Sequence, residues 1–378
     1  MNKLLFTGGH HNSALATIDW IKNNSDSFEF YWIGKKNIDS KSVSPEFTEV
    51  SSKNIPFYNL NAGKLFRTTS ILYFPHVVYN LLLIPLGLLQ AIYYLYRIKP
   101  NLIVSFGGYL SVPVVIAGYF MGIKSVLHEQ TATIGLANEI SSFFVQKIFT
   151  AWPLDFYTDQ KVSIKRKMEY TGLPVRNSIS SGEGKIKFSG KMMKKTIYIT
   201  GGKSGSLFMN KIFLDILKEV SSKYNLIWSC GRRIGEADYN SIIEAIGKLP
   251  HENRANIHVK EYFLEDEIGK VFNTADIVVT RGGAHTIYEL VLIKKPAIVI
   301  PIPWVSRQEQ LKNAMVLEKF GLGIVLNQNE LTPYKLLAEL ESFSDKVDNI
   351  KEISKDKEYV PVNGQEKLGN GIMEFFKS

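Results

Sequence analysis

The chain has 378 residues, 45% of them hydrophobic, and a formal net charge of +9 at pH 7. This length and composition allow two globular domains with sizeable cores. The single cysteine, Cys230, excludes a fold held by disulfides and provides no metal-ligand spacing, as is typical of a reducing compartment.

The basic excess is concentrated in the first 176 residues, which carry 17 Lys and Arg against 11 Asp and Glu. Such a balance favours an anionic membrane surface or a phosphate-bearing ligand, although plain surface solubility explains it equally well. Nucleic acid is not expected as a partner, because no dense stripe of cations with interleaved aromatics is present. The opening residues MNKLLFTGG contain no long apolar run, so we expect no signal peptide.

Apolar runs alternate with helical patterns along the first half of the chain. The predicted strands cover residues 4–6, 28–33, 102–105, 125–127 and 147–150, and the predicted helices cover residues 14–23 and 112–121. The strands are continuous apolar runs rather than alternating ones, which is typical of a parallel sheet covered on both faces. This alternation predicts an α/β, doubly wound domain.

Residues 68–96 contain no Lys, Arg, Asp or Glu, which is unusual for a globular sequence. As a helix, the part from Ile71 to Tyr96 would be about 39 Å long, enough to cross a bilayer. Pro85 fits better in the first turn of a separate helix over residues 86–98. We interpret the stretch as an apolar surface at the membrane interface, with a buried core helix and a true span as alternatives. The cations that flank it are Arg67, Arg97 and Lys99.

Residues 172–190 interrupt the pattern, because they are rich in Gly, Ser and Lys and show no periodicity. A second series follows, with strands at residues 196–200, 226–230, 277–280 and 297–301, a helix over residues 207–221 and a terminal helix over residues 365–377. We therefore predict a first domain over residues 1–172, a linker over residues 173–192, a second domain over residues 193–350 and a C-terminal helical segment over residues 351–378.

Three predicted strands end in glycine-rich loops, namely Thr7-Gly8-Gly9-His10, Phe106-Gly107-Gly108-Tyr109 and Thr200-Gly201-Gly202-Lys203-Ser204-Gly205. The first N–H groups of a helix lack intrahelical partners and the helix dipole favours an anion, so such junctions bind phosphate. One loop of this kind is weak evidence, but three in a consistent context indicate phosphate-bearing ligands. Their spacings match neither a P-loop nor a dinucleotide fingerprint, which argues against an NTPase and a nicotinamide dehydrogenase.

Polar residues follow several of the predicted strands. His128 could be a ligand or a base, but a histidine hydrogen-bonded at a strand end is the interpretation we favour. Glu289 lies one turn into the helix of RGGAHTIYE, where it could meet the ribose of a nucleotide; a solvated helix residue is the alternative. The run SRQEQLKNA, residues 306–314, places amides just past a strand end, where α/β folds bind ligands.

Seven motifs, in their order and spacing, resemble the MurG family of bacterial N-acetylglucosaminyltransferases, which act on lipid-linked muramyl-pentapeptide. They are TGGH, FGGYLSVP, HEQ, GLPVR, GGKSGS, RGGAHTIYE and QEQLKNA, and the resemblance covers residues 3–376. It implies a glycosyltransferase B architecture, with two Rossmann-like doubly wound domains facing a cleft and a terminal helix returning to the first domain.

The resemblance also assigns roles to matching positions. UDP-N-acetylglucosamine would bind the second domain, with Glu289 at the uridine ribose and Gln310 at the donor sugar, in a register marked by Asn313. The donor set is Arg176, Gly201, Gly202, Lys203, Ser204, Gly205, His285, Thr286, Glu289 and Gln310. The first domain would bind a polyprenyl-diphosphate-linked acceptor and the membrane, through an acceptor set of Thr7, Gly8, Gly9, Gly107, Gly108, Tyr109, His128 and Glu129.

His10 keeps the register of the family's TGGH histidine and is the predicted catalytic general base, because a neutral imidazole suits proton abstraction. The alternative is that His10 and His11 only orient the loop. The chain departs from the family pattern mainly on the acceptor side, where GGTGGH is reduced to TGGH and Thr131 stands in place of Asn. On the donor side Lys203 replaces a serine and His285 a leucine.

The resemblance implies an inverting transfer of N-acetylglucosamine to lipid I, giving lipid II in peptidoglycan synthesis. We expect no cofactor and no metal, since no Asp-x-Asp pair is present. We expect a peripheral location on the cytoplasmic face of the membrane, with anionic lipid contacted through residues 71–96. The alternatives are another lipid acceptor such as diacylglycerol or a different polyprenyl-linked glycan, a UDP-sugar 2-epimerase, and a non-catalytic subunit that binds lipid-linked sugar.

Overall fold

The computed structural model describes residues 1–37, 43–64, 74–175, 179, 184–189, 194–202, 204–231 and 236–377 of the chain. Contacts within the chain divide it into two compact units. The first unit comprises Met1–Val175 together with Asn363–Ser378, and the second comprises Arg176–Val362. Each unit is built around its own parallel sheet.

The first unit contains a seven-stranded sheet with the strand order β3-β2-β1-β4-β5-β6-β7. Its strands are β1 (Asn2–Thr7), β2 (Phe28–Gly34), β3 (Phe57–Asn59), β4 (Leu102–Ser105), β5 (Lys124–Glu129), β6 (Lys147–Thr150) and β7 (Met168–Tyr170). All neighbouring strands pair in parallel. In β1, Leu4, Leu5 and Phe6 are all fully buried, as expected of a central strand covered on both faces.

Helices connect these strands. They are α1 (His11–Asn24), α2 (Pro45–Ser52), α3 (Phe74–Ile98), α4 (Ser111–Phe120), α5 (Leu136–Ser142) and α6 (Val162–Lys165), with a 3-10 turn at Leu154–Tyr157. The connections carry the chain from one parallel strand to the next, so the loops after β1, β4 and β5 lie at one edge of the sheet.

Helix α3 continues through Pro85, and the prediction that a separate helix begins there is wrong. A proline inside a helix removes one backbone hydrogen bond and costs about 3 kcal/mol. Contacts on both sides of Pro85 offset this cost: Asn80 Oδ1 accepts from Lys64 N at 3.0 Å, and Gln90 Oε1 accepts from Asn61 N at 2.9 Å. Tertiary anchoring therefore holds the two halves in line.

The second unit contains a six-stranded parallel sheet with the order β10-β9-β8-β11-β12-β13. Its strands are β8 (Thr196–Thr200), β9 (Asn225–Ser229), β10 (Ile257–Lys260), β11 (Ile277–Thr280), β12 (Ala297–Val299) and β13 (Gly323–Val325). Its helices are α7 (Leu207–Asp215), α8 (Leu217–Lys223), α9 (Glu236–Gly247), α10 (His251–Arg254), α11 (Glu265–Thr274), α12 (Ala284–Leu292), α13 (Glu309–Lys319) and α14 (Pro333–Ser354), with 3-10 turns at Ser306–Gln308 and Gln328–Glu330.

Two helices of this unit differ from the sequence prediction. The single helix expected over residues 207–221 is divided at Ile216, whose φ of −119° departs from helical geometry. The long helix α14 was not predicted, although its first turn carries start signals. Thr332 Oγ1 accepts from Lys335 N, and Pro333 occupies the first helical position.

The last helix, α15 (Gly364–Met373), returns to the first unit and is followed by a 3-10 turn at Glu374–Phe376. Leu368 and Ile372 are fully buried in the hydrophobic core that also contains residues of β1. Gly369 lies directly against the ring of Trp20 on α1, where any side chain would collide. The final residues are therefore part of the first unit's core.

Candidate active site

The two glycine loops predicted in the first unit lie against each other at the carboxyl ends of β1 and β4. Gly9 N donates to Gly107 O at 3.0 Å. Gly8 has a φ of +126°, and a Cβ on it would lie 2.6 Å from Gly107 O, so only glycine fits this approach. Gly107 and Gly108 also have positive φ angles. Bare backbone from both loops therefore faces the same edge of the sheet.

His10 lies between the first loop and α1, at the residue that precedes the helix. Burial, with a smaller effect from the charge of His11, lowers the pKa of His10 from 6.5 to about 4. Its imidazole is therefore neutral at pH 7. The next side chain points to a different element, because His11 Nε2 lies 3.3 Å from Glu49 Oε2 on α2.

His128, near the end of β5, is buried and stacks on Phe106 with 5.4 Å between ring centroids. Its Nε2 lies 3.0 Å from Gly172 O, so Nε2 carries the proton and Nδ1 is left as an acceptor. Burial lowers the pKa of His128 to about 4, against the opposing effect of this hydrogen bond. The geometry is that of a strand-end histidine anchored to the backbone.

Glu129 supports the loop that follows β5. Its carboxylate accepts from Thr131 N at 3.0 Å, Thr131 Oγ1 at 2.8 Å, Gly135 N at 3.1 Å and Asn138 Nδ2 at 2.7 Å. Burial raises the pKa of Glu129, and these hydrogen bonds oppose the rise. A carboxylate that accepts from four donors fixes the shape of this loop.

Gln130 is the residue of the HEQ motif that sequence reasoning did not select. It is 1% exposed, and within the described residues neither its Oε1 nor its Nε2 has a hydrogen-bond partner. Thr7 Oγ1, at the end of β1, is also buried and has no hydrogen-bond partner among the described residues. An unpaired buried polar group costs about 1–3 kcal/mol, so a water or a polar ligand that bonds to either side chain would be stabilising. Only the fold could reveal this, because an unpaired amide has no signature in the sequence.

In the second unit, the glycine loop after β8 is a tight turn that leads into α7. Gly205 N donates to Gly202 O at 3.0 Å, and both glycines have positive φ angles. Ser206 precedes α7 and its Oγ accepts from Met209 N at 3.3 Å, closing the first helical turn. The exposed Ser204 lies between the two glycines. Arg176 and Lys203, both predicted donor residues, lie outside the described residues.

A second glycine turn, after β11, leads into α12 and packs against α13. A Cβ on Gly282 would collide with the backbone of Gln310, and Asn313 Nδ2 donates to Gly282 O at 3.0 Å. Gln310 Oε1 accepts from Ile302 N at 3.0 Å, which leaves its amide nitrogen for other contacts. The turn at Gly282 therefore packs the start of α12 against Gln310 and Asn313 on α13.

The early part of α12 carries the remaining predicted donor residues. His285 and Thr286 are half-buried in its first turn. Glu289 is 6% exposed, so the interpretation of Glu289 as a solvated helix residue is wrong. Arg281, just before the turn, is also buried and was missed by sequence reasoning, because the direction in which its side chain points is set by the fold.

Helix α3 presents an unusual surface. The segment Val78–Ile98 is long and apolar enough to cross a membrane by length and composition, yet only 17% of its most apolar window is buried. Its inner side carries Gly87, Ala91 and Leu95, which pack against the unit, while large apolar residues are exposed. The exposed set is Val78, Tyr79, Leu81, Leu82, Ile84, Leu86, Leu89, Ile92, Tyr93 and Tyr96. A buried core helix is therefore excluded.

Within the described ranges, no group of three or more His, Cys, Asp or Glu side chains is arranged to hold a metal ion. Independence from metal ions stays a prediction.

Comparisons with known proteins bear on both units. Residues 7–150 match the family model described as Glycosyltransferase family 28 N-terminal domain, and residues 196–365 match Glycosyltransferase family 28 C-terminal domain. A UDP-N-acetylglucosamine--N-acetylmuramyl-(pentapeptide) pyrophosphoryl-undecaprenol N-acetylglucosamine transferase of Clostridium perfringens is 32% identical, covering 98% of this chain and 95% of its own length. A Bacillus thuringiensis protein of the same name, numbered 3, is 31% identical, covering 91% of this chain and 92% of its own.

Solved structures share the fold. MurG of Acinetobacter baumannii superimposes with a TM-score of 0.70 at 20% identity, over 99% of this chain and all of that chain. A UDP-GlcNAc 2-epimerase of Neisseria meningitidis, bound to UDP-GlcNAc, gives 0.61 at 12% identity, over 99% of this chain and all of that chain. The fold is thus the glycosyltransferase B class, with two Rossmann-like domains, as predicted.

Sequence identity over nearly the whole chain identifies the family within this fold class. The chain belongs to the MurG family of glycosyltransferases, and the resemblance inferred from its motifs is confirmed.

Proposed function

We propose that the protein transfers N-acetylglucosamine from UDP-N-acetylglucosamine to lipid I, the undecaprenyl-diphosphate-linked muramyl-pentapeptide, and so forms lipid II for peptidoglycan. The observation that carries this proposal is the 32% identity over 98% of the chain to transferases named for that reaction. The fold alone is shared with 2-epimerases and therefore does not decide between the two activities.

The donor is proposed to bind at the carboxyl edge of the second unit's sheet. The described residues of the glycine loop, Gly201, Gly202 and residues 204–206, offer backbone N–H groups and the positive end of α7 to the diphosphate. Buried Glu289 accepts a hydrogen bond from the ribose, and the amide nitrogen of Gln310 contacts the sugar. His285 and Thr286 lie in the first turn of α12 beside them.

The acceptor is proposed to bind the first unit, with its diphosphate on the paired loops of Gly8–Gly9 and Gly107–Gly108, beside Tyr109. Gln130, whose buried amide has no partner among the residues that the structure describes, contacts the acceptor directly. His128 and Glu129 hold the neighbouring backbone in place through Gly172 and the loop after β5.

The proposed reaction is a single displacement at the anomeric carbon. The acceptor hydroxyl oxygen forms the new C–O bond as the bond to the UDP oxygen breaks, which inverts the anomeric configuration. The hydroxyl proton goes to His10, and UDP leaves with the electron pair, stabilised by the helix N-terminus. Burial lowers the pKa of His10. The negative charge of the acceptor's diphosphate beside His10 favours the imidazolium form and so raises this pKa again.

The exposed face of α3 is proposed to lie in the membrane interface, on the cytoplasmic side. This proposal is supported by the number of large apolar side chains that α3 exposes, while Gln90, Ala91 and Leu95 face the protein. Tyr119 and Phe120 at the end of α4, which packs against α3, extend the exposed apolar area. Arg97 and Lys99 lie at its end, where they meet anionic head groups.

The direct test is incubation of the purified protein with UDP-N-acetylglucosamine and lipid I, measuring UDP release and the lipid-linked disaccharide. Transfer to diacylglycerol or to another polyprenyl-linked glycan instead would identify a different acceptor for a UDP-sugar glycosyltransferase. Conversion of UDP-N-acetylglucosamine without any acceptor would indicate an epimerase. Absence of all turnover, with UDP-N-acetylglucosamine still bound, would favour a non-catalytic subunit.

A further inference from the structure

Arg281 follows β11 directly and is 6% exposed, yet it is a cation. Its guanidinium is held at defined distances. Nε and Nη2 donate to Ser206 Oγ at 3.2 and 2.6 Å, and Nη1 donates to Ile300 O at 2.8 Å and to Gln328 Oε1 at 2.7 Å. These partners lie after β8, β12 and β13, so one side chain connects the loops of four neighbouring strands at their carboxyl ends.

All of these partners are neutral: a hydroxyl, a backbone carbonyl and a side-chain amide oxygen. No carboxylate among the described residues pairs with Arg281, and Phe208 adds only its ring face, 5.5 Å from the guanidinium carbon. Burial lowers the pKa of Arg281 to about 10, so the side chain remains charged at neutral pH. Burying an ion without a counter-ion is costly, and groups whose pKa is shifted by burial concentrate at functional sites.

Ser206 links this charge to the glycine loop of the second unit. It is the last residue of that loop and the cap of α7, and its Oγ both receives the two Arg281 bonds and accepts from Met209 N. A guanidinium has five N–H donors, and the bonds to described residues use four of them, leaving one on Nη2, the nitrogen closest to Ser206.

We propose that Arg281 is a positioning residue for the donor's diphosphate. It fixes Ser206, which closes the glycine loop after Gly205, and it supplies a buried positive charge next to that loop. This inference rests on the proposed function, because it takes the loop as the donor site. Arg281 contributes positive charge to the donor site and holds the conformation of its loop.

The test compares the binding of UDP and of uridine by calorimetry, since uridine lacks the diphosphate. In Arg281→Gln, we expect the preference for UDP over uridine to fall by about 10-fold or more, the usual effect of losing a charge-assisted contact. Arg281→Lys retains the charge and is expected to restore part of the preference. Lys218→Gln, which removes one exposed cation of α8 in the same unit, is the matched control and should leave the preference unchanged.

Equal weakening of UDP and uridine in Arg281→Gln, or identical preferences in the Gln and Lys variants, would overturn the inference and leave a structural role. If Arg281→Gln does not fold, as judged from its melting curve, Ser206→Ala provides the test. That variant keeps the charge but cuts the link, and a preference reduced about 3-fold is expected, with an unchanged preference as the contrary result. Binding needs no acceptor, so failure to use lipid I would overturn the proposed function and leave this inference standing.

Discussion

Glu289 lies on the buried side of α12, near the turn that packs against Gln310. A carboxylate at 6% exposure is costly to retain, so its presence is better explained by function than by helix solubility. The sequence located this residue because the RGGAHTIYE motif fixes its position one turn into the helix. Burial removes the alternative of a solvated helix residue, and the contact of Glu289 with the ribose stays a prediction.

Replacing Glu289 with Ala is expected to raise the KM for UDP-N-acetylglucosamine by about 10- to 100-fold, because a charged acceptor to a ribose hydroxyl is lost. Steady-state kinetics and a melting curve are the measurements. Glu318→Ala, an exposed glutamate on α13 of the same unit, is the matched control and should change neither. An unchanged KM in Glu289→Ala would remove the residue from the donor site.

The adjacent histidines His10 and His11 provide a second comparison at this scale. Loss of a general base lowers kcat by about 10²- to 10⁴-fold, so His10→Ala is expected to fall in that range with the donor KM little changed. His11→Ala should lose far less, since the His11 ring lies against Glu49 on α2. If both variants lose activity equally, the loop binds phosphate and neither histidine is the base.

At the scale of elements, parallel strands and glycine loops were predictable because each has a local cause. Continuous apolar runs produce buried parallel strands, and glycine alone permits the approach of Gly8 to Gly107. The roles proposed for Gln130 and Arg281 were not predictable from sequence, since Arg281 meets Ser206 across 75 residues of sequence. Pro85 misled the prediction of α3 for a similar reason, because Asn61 and Lys64 hold that helix from another segment.

The exposed side of α3 is expected to bind anionic vesicles. Replacing Leu82, Leu86 and Leu89 with Ser should release the protein from liposomes in a sedimentation assay while the melting temperature stays the same, because all three are exposed. Leu95→Ser is the contrasting variant, since Leu95 is fully buried and its loss should lower the melting temperature. Continued sedimentation of the triple variant would show that another surface carries the protein to lipid.

At the scale of the whole molecule, the two units are expected to respond differently to acid. His10 and His128, whose pKa values are lowered to about 4, both belong to the first unit. Between pH 6.5 and 4 the unfolded chain binds protons at these residues that the folded chain does not. The stability of the first unit therefore falls as the pH decreases through this window.

For fully buried His128 the loss across the window is roughly 3 kcal/mol. Urea unfolding at pH 7 and pH 4, followed by tryptophan fluorescence, measures it. His128→Gln can still donate to Gly172 O but does not titrate, so its stability should depend less on pH than that of the parent. The same pH dependence in both proteins would assign the acid sensitivity to other groups.

The return of α15 to the first unit has a consequence for synthesis. A polypeptide leaves the ribosome amino terminus first, and the second unit is complete once Val362 has emerged. The first unit begins earlier but cannot close its core until Leu368 and Ile372 arrive. The unit that is translated first therefore finishes folding last. Until then the nascent chain exposes both the apolar face of α3 and an incomplete core, and it needs protection from aggregation.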